Sequence, residues 1–347
     1  MKTVLIILSI LLNSLNVTNA QNDYFTLQSI KLNQYVQEIE KKITVPYPKI
    51  KWKRNLKLHI GERNAFIPAI KEQLFFWGDL KLIKDDQLFD SALYSALHQF
   101  RFRNGLDTPT ILDEKVVGLL NTSPKEILAL IKQNLKRIEN VQLNGELSYI
   151  VVNIPECNLN YFVNNTCIVK MDVIVGKPQT PTRTFQTKIT SMVFCPYWNI
   201  PRSIMLKEIL PALKRDSQYL IKHHMEWRFG RIRQKPGPWN ALGEIKFVIP
   251  NTYGIYMHDT PTKYLFKKRK RYYSHGCIRL ERALDLASNI LSMENMNQKD
   301  IEEIKSSSVE TIYKLNRPIQ INVVYHTTTV DESGRLMLWN DVYSKDK

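Results

Sequence analysis

The chain has 347 residues, of which 44% are hydrophobic and four are cysteines, and its net charge is +16. Its length allows more than one domain, and its apolar fraction supports a packed core. So few cysteines in so long a chain exclude a scaffold held mainly by disulfides. The basic balance predicts an anionic partner, such as cell-wall polymer, a membrane surface or nucleic acid.

Residues 1–20 have the pattern of a secretory signal peptide. Lys2 precedes an apolar stretch from Val4 to Leu12, and polar and small residues then lead to Ala20. Because the apolar stretch is too short for a stable bilayer anchor, we expect cleavage after Ala20 and export of the mature chain. An uncleaved N-terminal anchor is the alternative. Export argues against nucleic acid as the anionic partner.

Residues 21–60 are polar, aromatic and basic, and the sequence assigns them no role. Residues 61–140 look like a small helical module with a linker helix from about Pro124 to Glu139. Asp90 and Gly105 are placed to begin and end one of its helices. Further motif residues are Gly78-Asp79-Leu80, Phe89-Asp90, Phe100, Gly105-Leu106 and Leu120-Asn121. Through them the module resembles the peptidoglycan-binding helical domain found beside cell-wall enzymes. A generic three-helix spacer is the alternative, and the missing Asp-Gly pair of that pattern leaves glycan binding open.

The pattern changes to strands after the linker helix. Residues 148–200 contain β-branched and alternating runs bounded by turn residues, which predicts a β-rich segment. A helical stretch and a basic, Pro- and Gly-rich stretch follow, and strands then return with one more helix and a final hairpin. We therefore expect an α+β protein. Its small all-α module precedes a mainly β domain over residues 148–345, which carries a helical cap inserted at 202–238.

Cys157 and Cys167 lie on either side of a predicted hairpin turn at Asn164-Asn165. An even number of cysteines in an exported protein is compatible with two disulfides. A two-residue turn pairs Phe162, not Cys157, with Cys167, so we do not expect that bridge. Cys195 is most simply a small buried residue.

Cys277 lies in the stretch YYSHGCIRL, a context that suits a free, nucleophilic thiol. Such a nucleophile needs a base, and the candidates are His275 in the same turn and His258 at the end of a predicted strand. Spacing alone does not choose between them. The backbone N–H groups of Gly276 and Cys277 are placed to form an oxyanion hole. Arg279 is suited to binding a substrate carboxylate through paired donors.

Nine motifs between Ser148 and the C-terminus belong to one family pattern. They are Val152–Pro155, Val175–Pro178, Pro196–Pro201, Lys207–Pro211, Arg233–Pro238, Asn240–Gly243, Lys246-Phe247, Tyr256–Pro261 and Ser274–Arg279. Through them the sequence resembles the L,D-transpeptidase (YkuD-type) catalytic domain, in the larger Gram-negative subgroup with a helical capping insertion. The resemblance implies that Cys277 is the nucleophile, that His258 is its base and that the backbone carbonyl of Asp259 orients the His258 ring. His275 then shapes the turn or contributes its backbone N–H.

The resemblance implies acyl transfer that needs no metal or organic cofactor. The Cys277 thiolate attacks the third residue of a peptidoglycan stem peptide, and the terminal D-Ala leaves. A side-chain amine of a neighbouring stem then resolves the thioester into a 3–3 cross-link. Attack by water makes the same site an L,D-carboxypeptidase, and attachment or removal of a wall protein is a further alternative. A non-catalytic wall-binding protein is the alternative outside enzyme chemistry.

The expected catalytic residues are Cys277, His258, Asp259 through its carbonyl, Gly276 through its N–H, and His275, and the expected substrate-binding residues are Arg279, Tyr256 and Trp239. Zinc bound by His258, His275 and Cys277 is a less favoured alternative, because a fourth ligand is not evident. The expected partners are peptidoglycan stem peptides, with peripheral contact to an anionic wall or membrane surface and no nucleic acid. The Gram-negative subgroup implies a periplasmic location.

Overall fold

The computed structural model describes residues 22–346 except 54, 85–86, 107–110, 144 and 307. The predicted signal peptide therefore lies outside the described residues. Two compact units are present: one runs to Gln142 and also includes the C-terminal segment from Tyr325, and the other is Leu143–Val324. Among the described helices, none combines the length and the apolar content needed to cross a bilayer.

In its described residues, the first unit contains five helices and a C-terminal hairpin. The helices are α1 (Tyr24–Lys42), α2 (Ile67–Phe76), α3 (Ser91–Arg103), α4 (Glu114–Leu120) and α5 (Pro124–Glu139), and the hairpin strands are Thr328–Val330 and Leu336–Leu338. As predicted, Asp90 caps α3 by accepting a hydrogen bond from the Leu93 N–H, and Gly105 follows the end of the helix with a φ of +64°. The linker helix α5 has the predicted bounds.

The motif residues of the helical module hold this unit together. Arg103 binds both carboxylate oxygens of Asp79, with its closest contact at 2.6 Å. Lys71, whose side chain is 1% exposed, pairs with Asp90 at 3.0 Å. A charge buried in this way needs its partner, so these contacts account for the acidic motif positions without a ligand. Glycan binding by the module stays a prediction.

The C-terminal hairpin packs in the helical unit, so the mainly β unit ends at Val324, before the predicted boundary at residue 345. Gln28 of α1 exchanges two 2.8 Å hydrogen bonds with the backbone of Val330. Asn134 of α5 binds both the backbone N–H and the hydroxyl of Thr327. The sequence analysis assigns no role to residues 21–60. In the structure this region contains α1, which binds the C-terminal hairpin through hydrogen bonds.

The second unit is a mainly β domain. Its strands are β1 (Ser148–Asn153), β2 (Asn158–Val163), β3 (Thr166–Gly176), β4 (Phe185–Phe194), β5 (Trp198–Asn199), β6 (Met225–Arg228), β7 (Arg231–Gln234), β8 (Ile245–Val248), β9 (Met257–His258), β10 (Tyr272–Ser274), β11 (Ile278–Leu280) and β12 (Thr311–Val324). Its helices are α6 (Arg202–Ile204), α7 (Leu210–Arg215), α8 (Tyr219–Lys222), α9 (Ala283–Met293) and α10 (Gln298–Ser306), with a π-helical turn at Met205–Ile209 and a 3₁₀ turn at Lys263–Lys267.

Nine of these strands form one sheet in the order β10-β3-β11-β9-β8-β4-β12-β1-β2. β2 also pairs with β3, and this pairing closes the sheet on itself. The predicted turn at Asn164-Asn165 joins them, and Phe162 faces Cys167 as expected. None of the four cysteines, all of which the structure describes, takes part in a disulfide, and Phe162 rather than Cys157 lies opposite Cys167.

Neighbouring strands of the sheet carry the residues expected to do chemistry. β9 and β11 run parallel and place Arg279 beside His258. Antiparallel β8 places Lys246 opposite His258 on the other side. Because Cys277 immediately precedes β11, the candidate nucleophile lies at the start of a strand that neighbours the strand carrying His258.

The insertion at 202–238 is only partly helical, which corrects the expectation of a helical cap. Its second half is the β6–β7 hairpin, and β7 pairs with β5 to form a separate three-stranded sheet. Ile209, Met225 and Ile232 form a small core of the insertion together with Ile200. The strands are only four residues long and rich in arginine, so their alternation is weak in the sequence.

Candidate active site

Cys277 and His258 line one cavity of about 340 Å³ together with His275, Tyr256 and Arg279. Two sequence segments some twenty residues apart meet there because β9 and β11 are parallel neighbours. Five of the eight predicted site residues therefore line one cavity.

His258 is held as a neutral base. Its side chain is buried, and its Nδ1 lies 2.5 Å from the backbone carbonyl oxygen of Asp259. This hydrogen bond assigns the ring proton to Nδ1, which leaves Nε2 as a proton acceptor. Burial lowers the pKa of His258 to about 3, and the positive charges of Arg279 and Lys246 add to that effect. The ring is thus unprotonated near neutral pH, as a general base must be.

The Asp259 side chain fixes the strand end that carries His258. Its carboxylate accepts a 3.0 Å hydrogen bond from the Glu244 N–H and pairs with Lys263 at 2.5 Å. Gly243 has a φ of +61°, and an added Cβ there would overlap the Asp259 carboxylate. A glycine at this position therefore allows the close approach that sets the Asp259 backbone.

The Cys277 thiol is protonated in the resting site. Burial raises the pKa of Cys277, while hydrogen bonds from the backbone and hydroxyl of Tyr256 and the charges of Lys246 and Arg279 oppose that rise. With His258 neutral in the same cavity, burial favours a thiol and an imidazole over a preformed ion pair. Proton transfer to His258 must therefore accompany the attack on a carbonyl.

Tyr256 links Cys277 to two residues that lie outside the predicted site. Its hydroxyl accepts a hydrogen bond from Trp198, and burial is the largest cause that raises the pKa of this phenol. The Lys246 ammonium lies 4.3 Å from the centre of the Tyr256 ring. Both partners belong to family motifs in the sequence, but no spacing or periodicity distinguishes them from core residues.

The turn before Cys277 is held by internal hydrogen bonds. Ser274 Oγ donates to the Cys277 carbonyl at 2.5 Å and accepts from the Gly276 N–H at 3.1 Å. The Gly276 φ of +115° suits only glycine, and Thr182 donates to the Gly276 carbonyl. The Gly276 N–H, predicted to bind the oxyanion, is therefore engaged within the turn, and an oxyanion would have to share it with Ser274.

His275 is engaged with the insertion. Its Nε2 lies 2.8 Å from a carboxylate oxygen of Glu208, in the π-helical turn, and both side chains are well exposed. Glu208 also lines the cavity. Of the two candidate bases, His258 has the buried, oriented ring, so the geometry favours His258 in that role.

Arg279 lines the cavity and forms no ion pair with any residue that the structure describes. Its Nε is buried and has no hydrogen-bond partner among the described residues. The nearby Glu281 pairs with Arg282 instead, at 3.7 Å. Burial lowers the pKa of Arg279, yet a guanidinium remains charged at neutral pH. An unpaired guanidinium at this depth suits a ligand carboxylate.

Trp239 does not line the cavity, so the structure gives no support to its predicted contact with substrate. Its ring stacks on His224 with the ring centres 3.7 Å apart. It also covers Gly237, where an added Cβ would lie 2.6 Å from the indole.

Residues 147–321 match the family model of YkuD, the L,D-transpeptidase catalytic domain. The chain belongs to this family. The YkuD match covers about half of the chain and all of the residues that line the cavity. The fold is accordingly the mainly β catalytic domain of an L,D-transpeptidase, preceded by helices.

The chain is similar to a curated protein and to several solved structures. A Haemophilus influenzae protein whose name proposes an L,D-transpeptidase is 30% identical over 241 residues, which are 63% of this chain and 48% of the relative. The chain thus spans about half the length of this curated relative. Solved structures include L,D-transpeptidases of Mycobacterium smegmatis (14% identity, TM-score 0.27, covering 51% of this chain and 58% of that one) and Stackebrandtia nassauensis (12%, 0.27, 80% and 96%).

Proposed function

We propose that the protein is a periplasmic L,D-transpeptidase that forms 3–3 cross-links in peptidoglycan through an acyl-enzyme at Cys277. The observation that carries the proposal is the grouping of a cysteine, an oriented neutral histidine and an unpaired arginine at one cavity of a YkuD domain. Export rests on the leader pattern of residues 1–20, and the periplasm as the destination rests on the resemblance to the Gram-negative subgroup.

The first half-reaction transfers an acyl group to Cys277. The thiol proton passes to His258 Nε2 as the sulfur bonds to the carbonyl carbon of the third stem residue. The bond to the terminal D-Ala then breaks, and the same proton passes from His258 to the leaving amine. Arg279 binds a carboxylate of the donor and so orients the peptide for attack. Tyr256 holds the sulfur through its hydroxyl.

The second half-reaction depends on which nucleophile meets the thioester. A side-chain amine of another stem attacks the carbonyl, the carbon–sulfur bond breaks, and an amide cross-link forms. Water in the same place gives a shortened stem and makes the protein a carboxypeptidase. The insertion that lines the cavity through Glu208 supports the amine, because a covered cleft admits less water.

Mass spectrometry of muropeptide products tests the proposal. The mature chain from Gln21 is incubated with a disaccharide-tetrapeptide, alongside Cys277→Ala and His258→Ala. We expect a dimer that lacks one D-Ala with the wild type and no dimer with either variant. Tripeptide without dimer identifies a carboxypeptidase. Unchanged substrate, with no adduct at Cys277 from a carbapenem, supports a non-catalytic wall-binding protein instead.

A further inference from the structure

The tip of the β6–β7 hairpin places a phenylalanine where folding does not favour one. Arg228 faces Arg231 in the strand register, so the turn consists of Phe229 and Gly230 alone. Their φ angles are +47° and +72°, as in a type I′ turn. Asn-Gly is the preferred sequence for this turn, and a bulky residue rarely adopts a positive φ. Phe229 is nevertheless 88% exposed, so its side chain gains little from burial in return.

A second aromatic side chain extends the apolar surface to this tip. Side chains alternate along a strand, so Met225 and Trp227 share one face of the hairpin, and Ile232 pairs with Trp227 on it. Met225 and Ile232 are buried in the core of the insertion, whereas Trp227 is 52% exposed. The hairpin thus has an apolar face that continues beyond the core and ends in two solvent-facing aromatic rings.

The charges around the rings are positive and uncompensated. The Arg228 guanidinium lies 4.2 Å from the centre of the Phe229 ring, and both Arg228 and Arg231 are exposed. Neither arginine forms an ion pair with an acidic side chain in the part of the chain that the structure describes. The acidic residue of the hairpin, Glu226, is occupied by Arg233 at 2.6 Å and Lys235 at 3.4 Å.

We propose that this tip, residues 227–231, docks on the surface of an anionic phospholipid membrane. Phe229 and Trp227 enter the boundary between headgroups and acyl chains, where aromatic side chains are favoured. Arg228 and Arg231 contact the lipid phosphates from the same tip. A sugar polymer is less well matched, because Phe229 protrudes at a turn and offers no concave site in which a chain of sugars lies. The proposal does not depend on the transpeptidase reaction.

Co-sedimentation with vesicles tests the proposal with the mature chain from Gln21. Vesicles of phosphatidylcholine alone are compared with vesicles that also contain phosphatidylglycerol. The test variant is Phe229→Asn, which restores the preferred Asn-Gly turn, so a loss of binding cannot come from a damaged fold. We expect the wild type to bind the anionic vesicles and Phe229→Asn to bind them about tenfold more weakly, as for one lost aromatic contact.

Two further variants complete the test. Replacing both Arg228 and Arg231 by glutamine is expected to remove the preference for phosphatidylglycerol. The matched control is Ile312→Asn, which removes an exposed apolar side chain (63%) elsewhere in the same unit and should bind as the wild type does. Equal vesicle binding by wild type and Phe229→Asn overturns the proposal. Loss of binding to isolated sacculi without any change on vesicles also overturns it, and indicates the wall polymer as the occupant.

Discussion

Burial shifts the pKa values of Cys277 and His258 in opposite directions. It raises the pKa of the Cys277 thiol and lowers that of His258, so both groups are neutral at rest. Two cations, Lys246 and Arg279, lie close enough to influence both groups. They hinder protonation of His258 in the resting enzyme but stabilise negative charge on sulfur as the attack proceeds. The site is therefore poised for proton transfer coupled to attack.

Gly243→Ala tests whether Asp259 positions His258. The added methyl group overlaps the Asp259 carboxylate, so we expect the His258 ring to shift and acyl-enzyme formation to slow by at least about tenfold. Gly230→Ala is the matched control, because it has a similar positive φ but meets no atom within 4 Å of the new Cβ. The rate of adduct formation at Cys277, monitored by mass spectrometry, distinguishes the two variants. Equal rates for both variants would show that the Asp259 contact does not support catalysis.

The insertion contacts the nucleophile turn through Glu208, whose carboxylate lies 2.8 Å from His275 Nε2. The π-helical turn at Met205–Ile209 presents Glu208 to His275, and π turns are frequent at functional sites. Both side chains are well exposed, so the pair is weak, on the order of 1 kcal/mol or less. A contact of this strength holds the insertion near the cavity while still letting substrates enter.

Glu208→Gln is expected to shift the products toward hydrolysis. If the Glu208–His275 contact keeps the insertion over the cleft, its weakening should raise the ratio of tripeptide to cross-linked dimer, by at most about fivefold for a contact of this strength. Asp216→Asn removes a comparable ion pair with Lys222 in the same insertion but away from the cavity, and should leave the ratio unchanged. Quantitative chromatography of the products gives both values. An unchanged ratio for Glu208→Gln would show that the insertion does not control the access of water to the thioester.

Patterns local in sequence predict the elements better than the contacts between them. Asp90, Gly105 and the Asn164-Asn165 turn act within a few residues of the chain, so the helix bounds and the hairpin register follow from residue type. The closure of the sheet by β2 and β3 and the return of the C-terminal hairpin to α1 depend on partners far along the chain. No local pattern encodes such partners.

The residues of the candidate site also differ in how well the sequence predicts them. Cys277, His258 and Arg279 are identifiable from residue type and motif, and the cavity contains all three. Glu208, Trp198 and Lys246 lie in family motifs of the sequence, but their part in the site depends on side chains that meet only after folding. Trp239 stands between two family motifs and stacks on His224, and its contact with substrate stays a prediction.

Both units carry a fully buried histidine, and this predicts acid sensitivity of the complete chain. Burial lowers the pKa of His326 to about 3, with a further effect from Arg137, and His258 has the same value. Unfolding exposes a group with the ordinary pKa of 6.5, so between pH 6.5 and 3 the unfolded chain binds more protons. Stability is therefore lost as the pH falls through this window, by about 2 kcal/mol for each histidine at pH 5.

Denaturant unfolding of wild type and His326→Gln from pH 7 to pH 5 measures one of these contributions. The variant lacks the titrating group, so its free energy of unfolding should fall by about 2 kcal/mol less than that of the wild type. Carboxylates contribute equally to both proteins and cancel in the comparison. Parallel pH dependences would show that His326 does not titrate as its burial requires.

The central claim is that Cys277 is the nucleophile and that His258, not His275, is its base. Single-turnover release of D-Ala from a tetrapeptide donor, with the acyl-enzyme mass recorded, measures this step alone in the wild type, Cys277→Ala, His258→Ala and His275→Ala. We predict no acyl-enzyme for Cys277→Ala, a loss of at least about a hundredfold in rate for His258→Ala, and a loss of less than about tenfold for His275→Ala. Near-normal acylation of His258→Ala together with an inactive His275→Ala would contradict the assignment of the base.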